Sequence, residues 1–135
     1  MFVQADMMEM PFATESMEGI WCSDAFAYVR PDRRTVFFRQ AHRVLRPGGV
    51  LFVSAATMPT AQMACRFLLW RLILRRPVVF GESISRLPRA QGGGWRYHAM
   101  TTARALRALC RDHGFQVRSL RCEGGLWLLL ARKAG

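Results

Sequence analysis

The residues that could take part in chemistry are few, and they follow two short apolar stretches. Asp6 follows residues 2–5, which we predict to be a strand, and Ser23 and Asp24 follow a second predicted strand at 19–22. Because ligands of parallel α/β sheets bind beyond the carboxyl ends of strands, these polar side chains are candidates for a binding site. The residues alone leave a plainer alternative open, in which each caps a turn or lies in an exposed loop.

Three further side chains could exchange a proton with a substrate: His98, Tyr28 and Tyr97. A histidine has a pKa suited to proton transfer near neutrality and could act as a general base on a hydroxyl or carbon acid. A lone histidine before a helix is more often structural, and no partner residue can be named for any of the three. The catalytic candidates are therefore Asp24, Tyr28 and His98, without an assigned role.

A helix and two buried strands are predicted around the second polar stretch. The helix starts at Pro31 and Asp32, with Asp32 as candidate N-cap, and ends at Pro-Gly-Gly in 47–49. One helical face carries apolar residues and the other carries arginines: Phe37, Ala41, Val44 and Leu45 against Arg34, Arg39 and Arg46. Residues 19–22 and 50–53 are apolar enough to be strands buried on both faces of a parallel sheet, which makes a βαβ unit.

The middle of the chain, residues 58–95, is predicted to cover a substrate-binding region. Residues 58–76 should be helical, and 77–95, with Pro88 and three consecutive glycines, should be irregular. The basic and aromatic stretch 66–76 could also lie on an anionic membrane surface. The imperfect separation of its charged and apolar faces favours a lid helix over an acceptor pocket.

The end of the chain is predicted to be a helix followed by a hairpin. Thr101 and Thr102 open an amphipathic helix that ends at Gly114. Two strands, 115–122 and 126–131, should follow, joined by a tight Glu-Gly-Gly turn.

Composition excludes several classes of protein. The 135 residues suit one small domain, and the formal net charge of +11 comes from scattered arginines without the basic and aromatic stripe of a nucleic-acid binder. The cysteines, Cys22, Cys65, Cys110 and Cys122, form no CxxC pair, so no metal site is predicted. The chain begins without a signal peptide and contains no apolar run long enough to cross a membrane, which predicts a cytoplasmic protein.

Four stretches, in order, resemble the type 11 group of class I S-adenosylmethionine-dependent methyltransferases. They are ADMMEMPF at 5–12, SMEGIWCSDAFAYV at 16–29 with Glu18 where the family has Asp, HRVLRPGGVLFVS at 42–54, and YHAMT at 97–101 followed by a helix and a terminal hairpin. The resemblance implies a partial Rossmann-like α/β fold, with a parallel sheet flanked by helices and a C-terminal antiparallel hairpin.

The same resemblance implies S-adenosyl-L-methionine as cofactor and a small-molecule or lipid methyl acceptor. In the family, the residues at the positions of Asp6 and Met7 hold the adenine amine and ring. The residues at the positions of Cys22 and Ser23 lie along the methionine part of the cofactor. Asp24 is then a polar candidate facing the acceptor.

The sequence departs from the family at its start, because no strand followed by a GxGxG turn and a helix is present. Residues 1–135 are therefore expected to be the C-terminal part of a methyltransferase domain, active only if the missing half is supplied. Three explanations stay open: a start codon assigned too far downstream, a degraded gene, or a fragment completed by a partner chain. The alternative function is a non-catalytic remnant that acts as an interaction or membrane-surface module.

Overall fold

The computed structural model describes residues 3–57, 60–73, 75, 82–86 and 93–135. Its strands are β1 (Met17–Cys22), β2 (Leu45–Ala56), β3 (Glu82–Arg86), β4 (Trp95–Ala99), β5 (Phe115–Glu123) and β6 (Leu126–Lys133). Its α-helices are α1 (Arg34–Val44), α2 (Thr60–Leu68) and α3 (Ala103–Asp112). Single 3-10 turns cover Phe26–Tyr28 and Pro31–Arg33, and a π-helical turn, Leu69–Ile73, continues α2.

The main sheet has four strands in the order β1-β2-β6-β5. Strands β1 and β2 run parallel, with Ile20 opposite Leu51, and β6 lies antiparallel between β2 and β5. Strands β3 and β4 form a separate antiparallel pair. The predicted α/β fold, with parallel strands and a C-terminal antiparallel hairpin, is confirmed.

Helix α1 supplies much of the core because its apolar side chains recur on one helical face. Phe37, Phe38, Ala41 and Val44 are all buried. The rings of Phe37 and Phe38 meet edge to face at 5.6 Å, and Phe26 contacts both. Full burial of such a side chain contributes about 1.5–3 kcal/mol, so α1 is held on the sheet mainly by this aromatic cluster.

The start and end of α1 differ from the sequence prediction. Asp32 does not cap the helix: the N-cap position is Arg33, and the Asp32 carboxylate accepts a hydrogen bond from Arg30 Nε at 3.2 Å. Arg34, predicted on the solvent side, is buried. The helix ends at Val44, and Leu45 is already the first residue of β2, so Pro-Gly-Gly lies within the strand. The parallel register between β1 and β2 shifts at this point, which accommodates the glycine pair.

Two strand predictions were wrong in part. Residues 3–6 form no strand. Strand β1 was predicted to be buried on both faces, but within the described sheet it pairs only with β2, and Trp21 is 75% exposed. The Trp21 ring stacks on the Phe52 ring of β2, with ring centroids 3.9 Å apart. The apolar residue Trp21 of β1 therefore packs against the neighbouring strand on the exposed face of the sheet.

The second half follows the prediction with one correction. The expected helix is present over Thr60–Ile73, continued by its π-helical turn. Glu82–Arg86 is a strand and not irregular chain, because it pairs with β4. The remainder of the predicted irregular segment, residues 77–81 and 87–92, lies outside the described residues.

The predicted C-terminal helix and hairpin are confirmed. Thr102 caps α3, with its Oγ1 accepting from Ala105 N at 3.2 Å. Leu106 and Cys110 on one face of α3 are buried against the sheet. Gly114 ends the helix with φ of 73°, a conformation that favours glycine.

Candidate functional site

A cavity of about 350 Å³ lies between the turn after residue 5 and the segment that follows β1. Its walls are formed by Asp6, Met7, Met8, Ala25, Tyr28, Val29, Arg30 and Arg33. The volume is in the range of small-molecule sites. Half of these side chains are apolar and half are polar or charged, a combination that suits a flat heteroaromatic ring with hydrogen-bonding edges.

The Asp6 carboxylate has one oxygen engaged in the turn. Its Oδ1 accepts from the backbone N–H of Met8 at 2.8 Å, and its carbonyl accepts from Glu9 N at 3.0 Å. Among the described residues, Oδ2 makes no hydrogen bond. Asp6 is therefore both a turn cap and an available acceptor, so the two readings of this residue are compatible.

Arg43 of α1 holds the chain that carries Asp6. Its Nη1 donates to Phe12 O and its Nη2 to Met10 O, both at 2.7 Å. Gln40 Oε1 accepts from the same guanidinium, and Glu15 N donates back to Arg43 O at 2.9 Å. Residues 10–15 form no strand, so these contacts replace ladder hydrogen bonds in positioning the turn.

Cys22, at the end of β1, and Ser23 and Asp24, just after it, are not among the residues that line this cavity. Cys22 is buried, and this burial raises the pKa of its thiol to about 11, although a hydrogen bond from the Phe26 backbone N–H partly opposes the shift. Ser23 is exposed. Asp24 has φ of 56°, and its N–H donates to the buried Ser54 Oγ at 2.8 Å. The functional roles of Cys22, Ser23 and Asp24 stay predictions.

The structure brings Tyr28 and His98 together. Their ring centroids are 5.4 Å apart, so β4 meets the cavity wall at Tyr28. The neighbouring Tyr97 is engaged elsewhere, since its hydroxyl donates to Glu82 Oε1 at 2.8 Å across the β3–β4 pair. Burial, then this hydrogen bond, raises the pKa of Tyr97, so its phenol stays protonated near neutral pH and does not serve as a general base.

Sequence reasoning missed part of the cavity wall. Val29 and Arg30 lie between the two 3-10 turns that join β1 to α1, and Arg33 is the last residue of the second turn. Arg30 forms an exposed ion pair with Asp32, and Arg33 is also exposed. In the sequence, only their position after a predicted strand pointed to these residues, because scattered arginines form no motif.

The described part of the chain holds neither a metal-binding cluster nor a membrane-spanning helix. No cluster of three His, Cys, Asp or Glu side chains there could hold a metal ion. Within the same residues, no helix has the length and apolar character needed to cross a membrane.

Comparison with known proteins agrees with the resemblance seen in the sequence. The family model described as "Methyltransferase domain" matches residues 1–53, which include Asp6, β1, α1 and the first half of β2. No curated protein sequence gives a significant match.

Solved structures extend the likeness over nearly the whole chain. An S-adenosylmethionine-dependent methyltransferase from Methanosarcina mazei superposes with a TM-score of 0.77 at 18% identity, covering 96% of this chain and 65% of that protein. The chain thus spans less than two thirds of that protein's length. At this identity the likeness concerns the fold.

Two other similar structures contain S-adenosylhomocysteine. One is 1,6-didemethyltoxoflavin-N1-methyltransferase from Burkholderia thailandensis (TM-score 0.64, 15% identity, 99% of this chain and 51% of that one). The other is magnesium protoporphyrin IX methyltransferase from Synechocystis PCC 6803 (TM-score 0.62, 10% identity, 98% of this chain and 51% of that one).

The fold is that of a class I, Rossmann-like methyltransferase. The resemblance to the type 11 group is confirmed, with the family match over residues 1–53.

Proposed function

We propose that this chain binds S-adenosylmethionine in the cavity beside Asp6 and takes part in methyl transfer to a small-molecule acceptor. The observation that carries the proposal is the cavity itself, in which Asp6 and Met7 face Ala25, Tyr28 and Val29. Asp6 and Met7 belong to the family-like stretch 5–12, and the other three residues belong to the family-like stretch 16–29, so one cavity joins the two stretches.

The chemistry of the wall suits an adenine ring. The free Asp6 Oδ2 can accept a hydrogen bond from the adenine amine, and the Met7 N–H can donate to a ring nitrogen. The Met7, Met8 and Val29 side chains supply apolar surface for the ring faces. Cys22 and Ser23 are proposed to lie along the methionine part, and Asp24, Tyr28 and His98 are the candidates near the acceptor.

Methyl transfer requires little covalent chemistry from the chain. When bound, S-adenosylmethionine supplies a methyl group that its sulfonium already activates. The protein's task is to hold the acceptor in line with that group and to exclude water. We propose that α2 and the β3–β4 pair cover the acceptor, since His98 of β4 reaches Tyr28 at the cavity.

The proposed acceptor class is a small molecule. Two structurally similar proteins are named for small-molecule substrates, 1,6-didemethyltoxoflavin and magnesium protoporphyrin IX. A cytoplasmic location is part of the same proposal, because all four cysteines are free thiols.

Isothermal titration with S-adenosylhomocysteine tests the cofactor site. We expect saturable micromolar binding by the folded chain, weakened about tenfold or more by Asp6→Asn. Asparagine retains an oxygen for the Met8 N–H but then presents an amide donor to the adenine amine. Glu123→Gln, an exposed site in the β5–β6 hairpin, has the same charge change and should bind like the wild type. Absent binding, or equal binding by both variants, would contradict the proposal.

A second function is favoured by one observation on α2 and its continuation. Four large aliphatic side chains there are well exposed: Leu68, Leu69, Leu72 and Ile73. Arg71 and Arg75 are exposed beside them, and the chain has a formal charge of +11. We propose that this surface contacts anionic membranes, which would deliver a lipid acceptor.

Sedimentation with phosphatidylglycerol vesicles tests the membrane contact. Leu72→Glu should abolish most of the binding, because it places a charge where the apolar side chain would enter the interface. Gln62→Glu, exposed on the same helix, carries the same charge change and should bind like the wild type. Equal binding by both variants would rule out this surface.

A further inference from the structure

A second cavity, of about 310 Å³, lies on the other side of the turn that leads into α1. Pro31 and Arg34 form one wall of this second cavity, whereas Arg30 and Arg33 of the same turn belong to the first. The remaining walls come from α2, the loop after β4, and α3: Met63, Met100, Thr101, Thr102, Ala105, Ala108, Leu109 and Asp112.

Arg34 is a buried cation that forms no close ion pair among the described residues, although the Glu82 carboxylate acts on it from a longer distance. It is 5% exposed, and its Nη2 donates to Ala99 O at 2.6 Å, with longer contacts to Met100 O. The guanidinium also lies 5.0 Å from the centre of the Phe26 ring. Its Nε has no hydrogen-bond partner in the described structure. A buried charge is costly unless it is paired, so this donor is suited to an anion.

Thr101 carries a second buried polar atom without a partner. The residue is 2% exposed, and its backbone N–H donates to Ala56 O at 2.9 Å, which fixes it at the end of β2. No described residue bonds its Oγ1. An unsatisfied buried hydroxyl costs about 1–3 kcal/mol, and a ligand oxygen that reached it from the cavity that Thr101 lines would remove that cost.

The rest of the cavity wall is mainly apolar. Met63, Met100 and Leu109 offer flexible or branched surface to an organic body. Asp112 is the one acidic residue in the described wall, and Arg111 Nε binds its carboxylate at 2.9 Å. Both side chains of this ion pair are exposed, so it offsets the Asp112 charge only in part.

We propose that this second cavity binds a small carboxylic acid with an apolar body. Its carboxylate accepts hydrogen bonds from Arg34 Nε and Thr101 Oγ1, and its body lies among Met63, Met100 and Leu109. The site is separate from the Asp6 cavity and does not rest on the methyltransferase proposal. The competing explanation is that Arg34 only ties β4 to α1 through the Ala99 and Met100 carbonyls.

Methionine methyl signals report directly on both cavities. In the full chain labelled with ¹³C at methionine methyls, benzoate should shift the Met63 and Met100 signals saturably and leave those of Met7 and Met8 unchanged. Met63→Leu and Met100→Leu assign the two signals. Benzyl alcohol, which has the ring without the carboxylate, should bind at least about tenfold more weakly, because charged hydrogen bonds are lost.

Three variants separate ligand binding from a structural role. Thr101→Val should weaken benzoate binding about fivefold to tenfold without lowering the unfolding temperature, since the hydroxyl has no partner in the free chain. Arg34→Gln should abolish saturable binding, and Arg39→Gln, exposed on the same helix, should not. If Arg34→Gln fails to fold, Thr101→Val decides. Equal shifts with benzoate and benzyl alcohol, or unchanged benzoate affinity in Thr101→Val, would overturn the proposal.

Discussion

At the scale of single residues, the link between Asp24 and Ser54 joins the ends of two parallel strands. Asp24 has φ of 56°, a left-handed conformation that costs a non-glycine residue about 1 kcal/mol or more. Its N–H donates to Ser54 Oγ, and Ser54 is 3% exposed at the end of β2. This hydrogen bond therefore orients the loop that carries Ser23 and Asp24.

Removal of the Ser54 hydroxyl should destabilise the fold. Ser54→Ala leaves the Asp24 N–H without its partner, so we expect the free energy of unfolding to fall by about 1–2 kcal/mol in urea titrations. Ser23→Ala, one residue away and exposed, should change it by less than about 0.5 kcal/mol. Equal stability of the two variants would show that the hydrogen bond does not hold the loop.

At the scale of elements, the contact between α1 and residues 10–15 decides whether the Asp6 turn is positioned. Arg43 donates to two backbone carbonyls of this segment and is half-buried. A guanidinium can satisfy both carbonyls at once because its donors form a planar fork.

Loss of the Arg43 fork should loosen the Asp6 cavity. Arg43→Met keeps the apolar stem but leaves the Met10 and Phe12 carbonyls unbonded. We expect faster amide hydrogen exchange over residues 7–16 and weaker S-adenosylhomocysteine binding, with a stability loss of about 1–3 kcal/mol. Arg39→Met, on the exposed side of α1, is the matched control. Unchanged exchange in Arg43→Met would contradict this role.

The elements that were predictable from sequence are those with local signals. Helix α1 was predicted because Phe37, Ala41 and Val44 recur at helical spacing, and the final hairpin because its turn is glycine-rich. The burial of Arg34 was not predictable, since its hydrogen bonds join residues about 65 positions apart. The exposure of one face of β1 was not predictable for a similar reason. An apolar stretch does not show whether a helix or the side chain of a neighbouring strand covers it.

The candidate site was predictable only in its named motifs. Asp6 and Met7 came from the resemblance, and the fold places both on one cavity wall. Val29 ends the family-like stretch 16–29 but had no assigned role, and Arg30 and Arg33 join the cavity wall through the geometry of the second 3-10 turn, which no residue pattern marked.

At the scale of the whole molecule, thiol accessibility reports on the complete fold. Cys65 and Cys122 are exposed, whereas Cys22 and Cys110 are buried on β1 and α3. Burial raises the pKa of each buried thiol to about 11, so both stay protonated in neutral solution.

Reaction with Ellman's reagent should therefore occur in two stages. At about pH 8 we expect Cys65 and Cys122 to react quickly, and Cys22 and Cys110 to react only after unfolding in guanidinium chloride. A Cys65→Ser, Cys122→Ser double variant should show no fast thiol. Rapid reaction of all four wild-type thiols would contradict the described core.

The central claim is that the cofactor lies between the Asp6 turn and the segment after β1. Titration of the ¹³C-methionine chain with S-adenosylhomocysteine tests it most directly, because Met7 and Met8 line that cavity, whereas Met63 and Met100 line the other. We predict saturable shifts of the Met7 and Met8 methyl signals, with those of Met63 and Met100 unchanged. Saturable shifts confined to Met63 and Met100, or no shift at Met7 and Met8, would contradict the account.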